Sequence, residues 1–269
     1  MVRNICLVLA CLASSVGARA ETLWQIEIRD GAAAPEMVEI WANDENIRMG
    51  IKSDEDAGEV IFIGARNEAI MVDHERKQYF VVSAERMGAA MTGMKSQMEQ
   101  AMAAAMANMD PETKKAMQAA MAQNGGSLPG LGALPGMAAE APVIEVRAAG
   151  ETKPILSAKA SRFDVLENGK KVSELWAAKP GDVKGGKVVS ARMADLMAFF
   201  DQAMGDFSPA DDSLFQYLSR IDGRVPVAGV DFENGAAGET SQLVSAADAD
   251  APDGVWDAPA GYQKMESPF

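Results

Sequence analysis

Cysteine is almost absent from this chain of 269 residues, which contains only Cys6 and Cys11. Both lie in the first twenty residues, where a basic residue, a short apolar stretch and small residues follow one another as in a cleavable signal peptide. We therefore expect cleavage after residue 20 and a periplasmic mature chain, 21–269. A lipoprotein signal ending at Cys11 is the rival interpretation. The mature chain would have no thiol, no disulfide and no thiolate metal site.

Histidine is equally scarce, since His74 is the only one. A catalytic triad, a histidine zinc site or a histidine general base would depend on this residue alone. Its position in the turn 73–76 favours a solvent-exposed side chain, so we expect no enzyme. After the signal segment, no apolar run approaches the roughly 20 residues that cross a bilayer. We therefore do not expect an integral membrane protein.

Basic residues are outnumbered, with 25 Lys and Arg against 39 Asp and Glu and a net charge of −14. Removal of residues 1–20 takes away two arginines and no acid, which changes −14 to −16. A field of this sign repels nucleic acid and excludes it as a partner. The acidic run 54–56 lacks the spaced ligands of a calcium loop and is better interpreted as a solvated turn.

Alternation of apolar and polar residues is the main structural signal. From Thr22 to Val82 it recurs in short runs separated by turn residues, which predicts six antiparallel strands. In the second half, strands over 162–166 and 171–176 flank the pair Asn168-Gly169, which is typical of a tight hairpin. A final hairpin is predicted around Asn234-Gly235.

Helices are predicted between these groups of strands. Residues 84–109 are rich in Ala, Met, Gln and Glu, Asp110 and Asp211 resemble helix N-caps, and Ser190 is predicted to cap a helix with an apolar face. We expect one α+β domain over 21–269, with a Met-rich helical insertion at 84–123 and a Gly/Pro/Ala-rich linker at 124–142. The expected fold is a curved antiparallel sheet, a half-open barrel, with helices covering its concave face.

A stripe of methionines is the most unusual feature of the sequence. Their spacing of three or four residues places the first seven on one helix face, and two more follow in the next predicted helix. The nine candidate lid residues are Met87, Met91, Met94, Met98, Met102, Met106, Met109, Met117 and Met121.

Three interpretations of this stripe stay open. In the first, methionine fills an irregular core, which is the usual role of an apolar helix face. In the second, it forms an adaptable apolar surface for a lipid, another hydrophobic ligand or a partner helix. In the third, the thioethers of Met91, Met94 and Met98 bind Cu(I), for which their spacing is suited.

Several short segments resemble the exported proteins grouped as domain of unknown function 4412. These segments are 45–49, 73–79, 108–112, 175–177, 224–227 and 259–262. Such proteins are similar to periplasmic lipoprotein carriers of the LolA/LolB type, which implies a half-open barrel with a helical lid over an apolar cavity. Many members have a cysteine before the tryptophan strand, whereas 157–161 has none, which puts any redox role in doubt.

The function expected from the sequence is therefore non-catalytic binding of a lipid, an acyl chain or an envelope partner in the periplasm, without a cofactor. A Cu(I)-binding protein is one alternative. A structural homo-oligomer held together by the Met-rich helices is the other.

Overall fold

The alternating apolar residues form one large β-sheet. The computed structural model describes residues 21–31, 33–52, 58–107, 127–128, 132–133, 143–204, 220–233 and 235–267. Several predicted segments lie outside these ranges: the predicted signal segment 1–20, the acidic run 54–56, the part of the predicted insertion after residue 107, most of the predicted linker and the helix predicted after Asp211. The strands of the first half are β1 (Glu21–Arg29), β2 (Glu36–Ala42), β3 (Asn46–Lys52), β4 (Gly58–Ile63), β5 (Glu68–Asp73) and β6 (Gln78–Ser83).

The second half of the chain adds further strands to the same sheet. They are β9 (Ile144–Ile155), β10 (Ala158–Glu167), β11 (Lys170–Ala178), β12 (Val225–Glu233), β13 (Ala236–Ala249) and β14 (Gln263–Lys264). Two short strands, β7 (Ser127–Leu128) and β8 (Gly132–Ala133), pair only with each other.

The order of the twelve strands is β14-β6-β5-β4-β3-β2-β1-β13-β12-β11-β10-β9. All neighbours are antiparallel except β14, which is parallel to β6. Within the described residues the sheet is not closed, because β14 and β9 are its two edges. The six predicted strands of the first half are confirmed, and the arrangement is consistent with the predicted α+β class.

The hairpin predicted at Asn168-Gly169 is confirmed. Both residues have positive φ, 49° and 81°, as a two-residue turn of type I′ requires. The flanking strands are longer than predicted, since β10 begins at Ala158 and β11 ends at Ala178. The final hairpin joins β12 to β13 next to Gly235, whose φ is 84°. Asn234 lies outside the described residues.

One face of the sheet carries the two α-helices of the described residues, α1 (Ala84–Ala107) and α2 (Gly186–Met204). We call it the helix face. Cross-strand pairing aligns a buried apolar row along it, made of Ile47, Phe62, Ala69 and Val82. Phe199 of α2 packs on this row, with its ring 5.5 Å from that of Phe62.

Helix α2 begins four residues before Ser190, so the prediction that Ser190 caps it is wrong. The preceding residue, Gly185, has a φ of +66°, and its α-carbon lies against Thr22 of β1. Trp24 Nε1 also donates a hydrogen bond of 2.8 Å to the carbonyl oxygen of Lys184. Contacts with β1 therefore fix the start of this helix, and the local capping residue does not.

Part of the opposite face of the sheet is covered by the C-terminal segment 255–265, which we call the strap. Its backbone pairs with β6, because the Met265 amide donates to the Tyr79 carbonyl oxygen at 2.8 Å. Trp256 and Tyr262 pack on a buried cluster that includes Ile61 and Ile70. Over strands β3 to β6, the strap thus lies on the face of the sheet opposite the helices.

Candidate functional site

Two neighbouring cavities lie on the helix face. The first, which we call the sheet cavity, has a volume of about 580 Å³. The second, the helix cavity, has a volume of about 420 Å³ and lies between α2 and strands β1, β2 and β12. They share four lining residues, Ile26, Ile40, Met193 and Pro226. The two cavities therefore adjoin, and Met193 of α2 contributes to the wall of both.

Seven adjacent strands, from β3 across to β10, contribute residues to the sheet cavity. Its apolar wall follows from the register of the sheet, since Ile26 pairs with Val38 on one side and with Leu243 on the other. The next row brings Ile40 opposite Met49. Because directly paired residues of neighbouring strands project to the same side of a sheet, these side chains share one face.

Carboxylates lie among the lining residues of the sheet cavity, at Glu167, Asp231 and Glu239. The pKa of Glu239 is raised above its ordinary value, first by desolvation and then by repulsion from Asp231, Asp30 and Glu36. The charged form of this carboxyl is therefore disfavoured, and a second anion beside it would be disfavoured as well.

The helix cavity is lined mainly by apolar residues of α2 and of the sheet. Val189, Met193 and Met197 come from the helix, at the spacing of one helix face. The charged residues in its lining are Asp201 and Arg224. A cavity with this lining would accommodate an apolar chain and would contact a charged head at few points.

The predicted methionine stripe does not line either cavity within the described residues. Met87 is buried in the main core, Met91 packs against that core, and Met94 is 52% exposed. The side chains of Met98, Met102 and Met106 lie outside the described residues, as do Met109, Met117 and Met121. For Met87 the structure matches the core interpretation.

The Cu(I) hypothesis and the homo-oligomer hypothesis stay predictions. Of the three proposed copper ligands, Met91 packs against the core and Met94 is exposed, whereas the Met98 side chain lies outside the described residues. In the part of the chain that the structure describes, no three His, Cys, Asp or Glu residues come together as a metal-binding group.

Sequence reasoning did not assign a binding role to the methionines that line the cavities, Met49, Met193 and Met197. The signal for two of them was present, because Met193 and Met197 belong to the apolar face predicted for the helix after Ser190. Which part of that face leaves free space depends on the strands opposite and cannot be read from the helix.

The prediction of a solvent-exposed His74 is wrong. Its Nδ1 lies 2.9 Å from the Tyr262 hydroxyl, and its Nε2 lies 3.2 Å from Glu59 Oε2. The same carboxylate oxygen accepts a 2.7 Å hydrogen bond from Arg48 Nη2, and Arg48 Nη1 donates to the Val255 carbonyl oxygen. His74 thus belongs to a polar network between the sheet and the strap.

Neither described helix combines the length and the apolar character that a membrane-crossing helix needs. This finding is limited to the described residues.

Comparison with protein-family models and with curated proteins gives no match for this chain. Two solved structures align with most of it. An uncharacterized conserved protein from Thermus thermophilus aligns over 93% of both chains at 8% identity, with a TM-score of 0.43. A LolA superfamily protein from Nitrosomonas europaea aligns over 88% of this chain and 89% of its own at 8% identity, with a TM-score of 0.25.

The resemblance to domain of unknown function 4412 has no family match to support it and stays a prediction.

Proposed function

We propose that this protein is a non-catalytic carrier that binds a lipid, an acyl chain or another hydrophobic ligand in the two adjoining cavities of the helix face. The observation that supports this proposal is the shared apolar wall of Ile26, Ile40 and Met193. Both cavities have volumes within the range of roughly 300–1,000 Å³ that is typical of small-molecule sites. A hydrophobic ligand would gain the burial of its apolar surface, which water disfavours.

The shape of the sheet is part of the proposal. Seven strands spaced about 4.8 Å apart would span about 29 Å in a flat sheet. Such a width is large for one cavity of about 580 Å³ that all seven strands line. We therefore propose that the sheet curves around this space as a half-open barrel, with α2 over its concave side.

A carrier role agrees with the position of the only histidine. His74 contacts Glu59 and Tyr262 on the strap face, across the sheet from both cavities. His74 therefore does not lie where it could act as a general base on a ligand in these cavities. The proposed site of action is the periplasm, which rests on the signal-peptide pattern of residues 1–20.

A substitution at the shared wall tests the binding site. Met193→Trp places a larger side chain where the two cavities meet, and we expect it to weaken binding of the neutral fluorophore N-phenyl-1-naphthylamine at least about tenfold, or about 1.4 kcal/mol. Fluorescence titration of the full chain measures this change. Met94→Trp is the matched control, because Met94 is exposed and lines neither cavity.

The two variants also separate this proposal from the predicted methionine lid. Equal binding by the wild type and Met193→Trp, or stronger loss in Met94→Trp, would show that the ligand does not occupy these cavities.

A further inference from the structure

Arg224 is a positively charged residue in the mainly apolar lining of the helix cavity. It directly precedes β12, is half-buried and forms no ion pair with any residue in the described part of the chain. A guanidinium group that is partly removed from water is stabilised when an anion faces it. With respect to the described residues, Arg224 therefore has a capacity to bind negative charge that no carboxylate uses.

Basic and acidic residues are distributed unevenly along the two cavities. Of the described residues that line either cavity, Arg224 is the only basic one. The far side of the sheet cavity carries Glu167, Asp231 and Glu239 instead. An anion is thus attracted to one end of the combined space and repelled from the other, although the whole chain has a net charge of −14.

Asp201 of α2 lines the same cavity as Arg224, but the two form no ion pair in the described structure. Asp201 is solvent-exposed, so water screens its charge, whereas Arg224 is half-buried. Asp201, the one described carboxylate in the lining of the helix cavity, therefore does not neutralise Arg224.

On the premise of the proposed function, we infer that the ligand is an amphiphile with an anionic head, and that Arg224 binds this head. Arginine suits the task because its planar group can donate two parallel hydrogen bonds to a carboxylate or a phosphate. The apolar chain then extends from Arg224 along Ile26, Ile40 and Met193 toward the sheet cavity. The acidic residues beyond them select against the reverse orientation.

Ligands with one hydrocarbon chain and three different heads test this inference. Oleate carries a carboxylate, oleyl phosphate a phosphate, and oleyl alcohol no charge. We expect the wild type to bind at least one of the two anions more tightly than the alcohol. Arg224→Gln should weaken binding of that anion about tenfold or more and change alcohol binding less than about twofold.

Two further variants control for charge and folding. Arg224→Lys retains the positive charge and should recover part of the anion affinity. Asp201→Asn removes the negative charge from the same cavity, so anion binding should be unchanged or tighter. If the Arg224→Gln variant still binds oleyl alcohol, its cavity is still formed.

The possible failures are distinguishable. If both anions and the alcohol bind to the wild type but Arg224→Gln retains full anion affinity, Arg224 does not hold the head and the inference is wrong, while the carrier proposal stands. The inference is also wrong if the variant loses anion and alcohol binding equally. If no ligand binds to the wild type, the proposed function itself fails.

Discussion

Glu59 shows how single residues of this protein depend on distant parts of the chain. Its side chain is only 6% exposed, and its Oε2 contacts both Arg48 on β3 and His74 after β5. His74 in turn contacts Tyr262 of the strap, 188 residues later. The sequence could not predict this network, because the turn 73–76 is polar on its own and the strap covers it only in the folded chain.

The carboxylate of Glu59 is expected to contribute strongly to stability. Glu59→Ala leaves the Arg48 guanidinium partly buried without its anionic partner, so we expect the free energy of unfolding to fall by about 2–3 kcal/mol. Urea denaturation measures the loss. Glu68→Ala is the control, because the pair of Glu68 with Arg66 is much more exposed and should contribute less than about 1 kcal/mol.

If Glu59→Ala and Glu68→Ala lower the free energy of unfolding by similar amounts, the prediction for Glu59 is wrong. The network would then contribute no more than an ordinary surface ion pair.

The strands and turns whose signals lie in neighbouring residues agree with their predictions. The strands of the first half alternate regularly, and Asn168-Gly169 contains the residues that a tight turn with positive φ requires. The start of α2 was predicted wrongly, because Ser190 satisfies the local capping pattern. The actual start is set by Thr22 and Trp24 of β1, far earlier in the chain, which no local pattern reports.

The methionine stripe on α1 illustrates the same limit. Its spacing correctly predicts a helix, and the structure shows α1 over Ala84–Ala107. Spacing cannot show how far the neighbouring elements extend along that helix. Met87 is consequently buried, while Met94, on the same predicted stripe, is 52% exposed.

The close contact at the start of α2 gives a prediction for this element. A methyl group on Gly185 would lie 2.1 Å from Thr22 Cγ2, and the residue also has positive φ. Gly185→Ala should therefore displace the helix start and destabilise the protein by more than about 3 kcal/mol, since steric overlap adds to backbone strain. Thermal unfolding monitored by circular dichroism tests this expectation.

Gly235→Ala is the matched control for this experiment. Gly235 also has positive φ, 84°, but a methyl group there would meet nothing within 4 Å. Gly235→Ala should therefore lower the free energy of unfolding by only about 1–2 kcal/mol, through backbone strain. A Gly185→Ala variant no less stable than Gly235→Ala would show that α2 does not depend on the contact with Thr22.

At the scale of the whole molecule, the cavities arise from residues that are remote in sequence. Ile26 and Ile40 come from the first strands, Met193 from α2, and Pro226 and Leu243 from the last strands. Ile26 and Ile40 were predictable from their local patterns as members of an alternating strand face, and Met193 as a member of an apolar helix face. The free space between them was not, because it depends on the pairing of β1 with β13 and on the path of α2 above both.

The central claim is that these two cavities hold one hydrophobic ligand, and native mass spectrometry tests it most directly. The full chain and Met193→Trp are each incubated with oleic acid and measured under the same conditions. We predict that the wild type carries one bound oleate and that the variant is largely ligand-free. A wild type that stays ligand-free, or a variant that carries as much ligand as the wild type, would contradict the account.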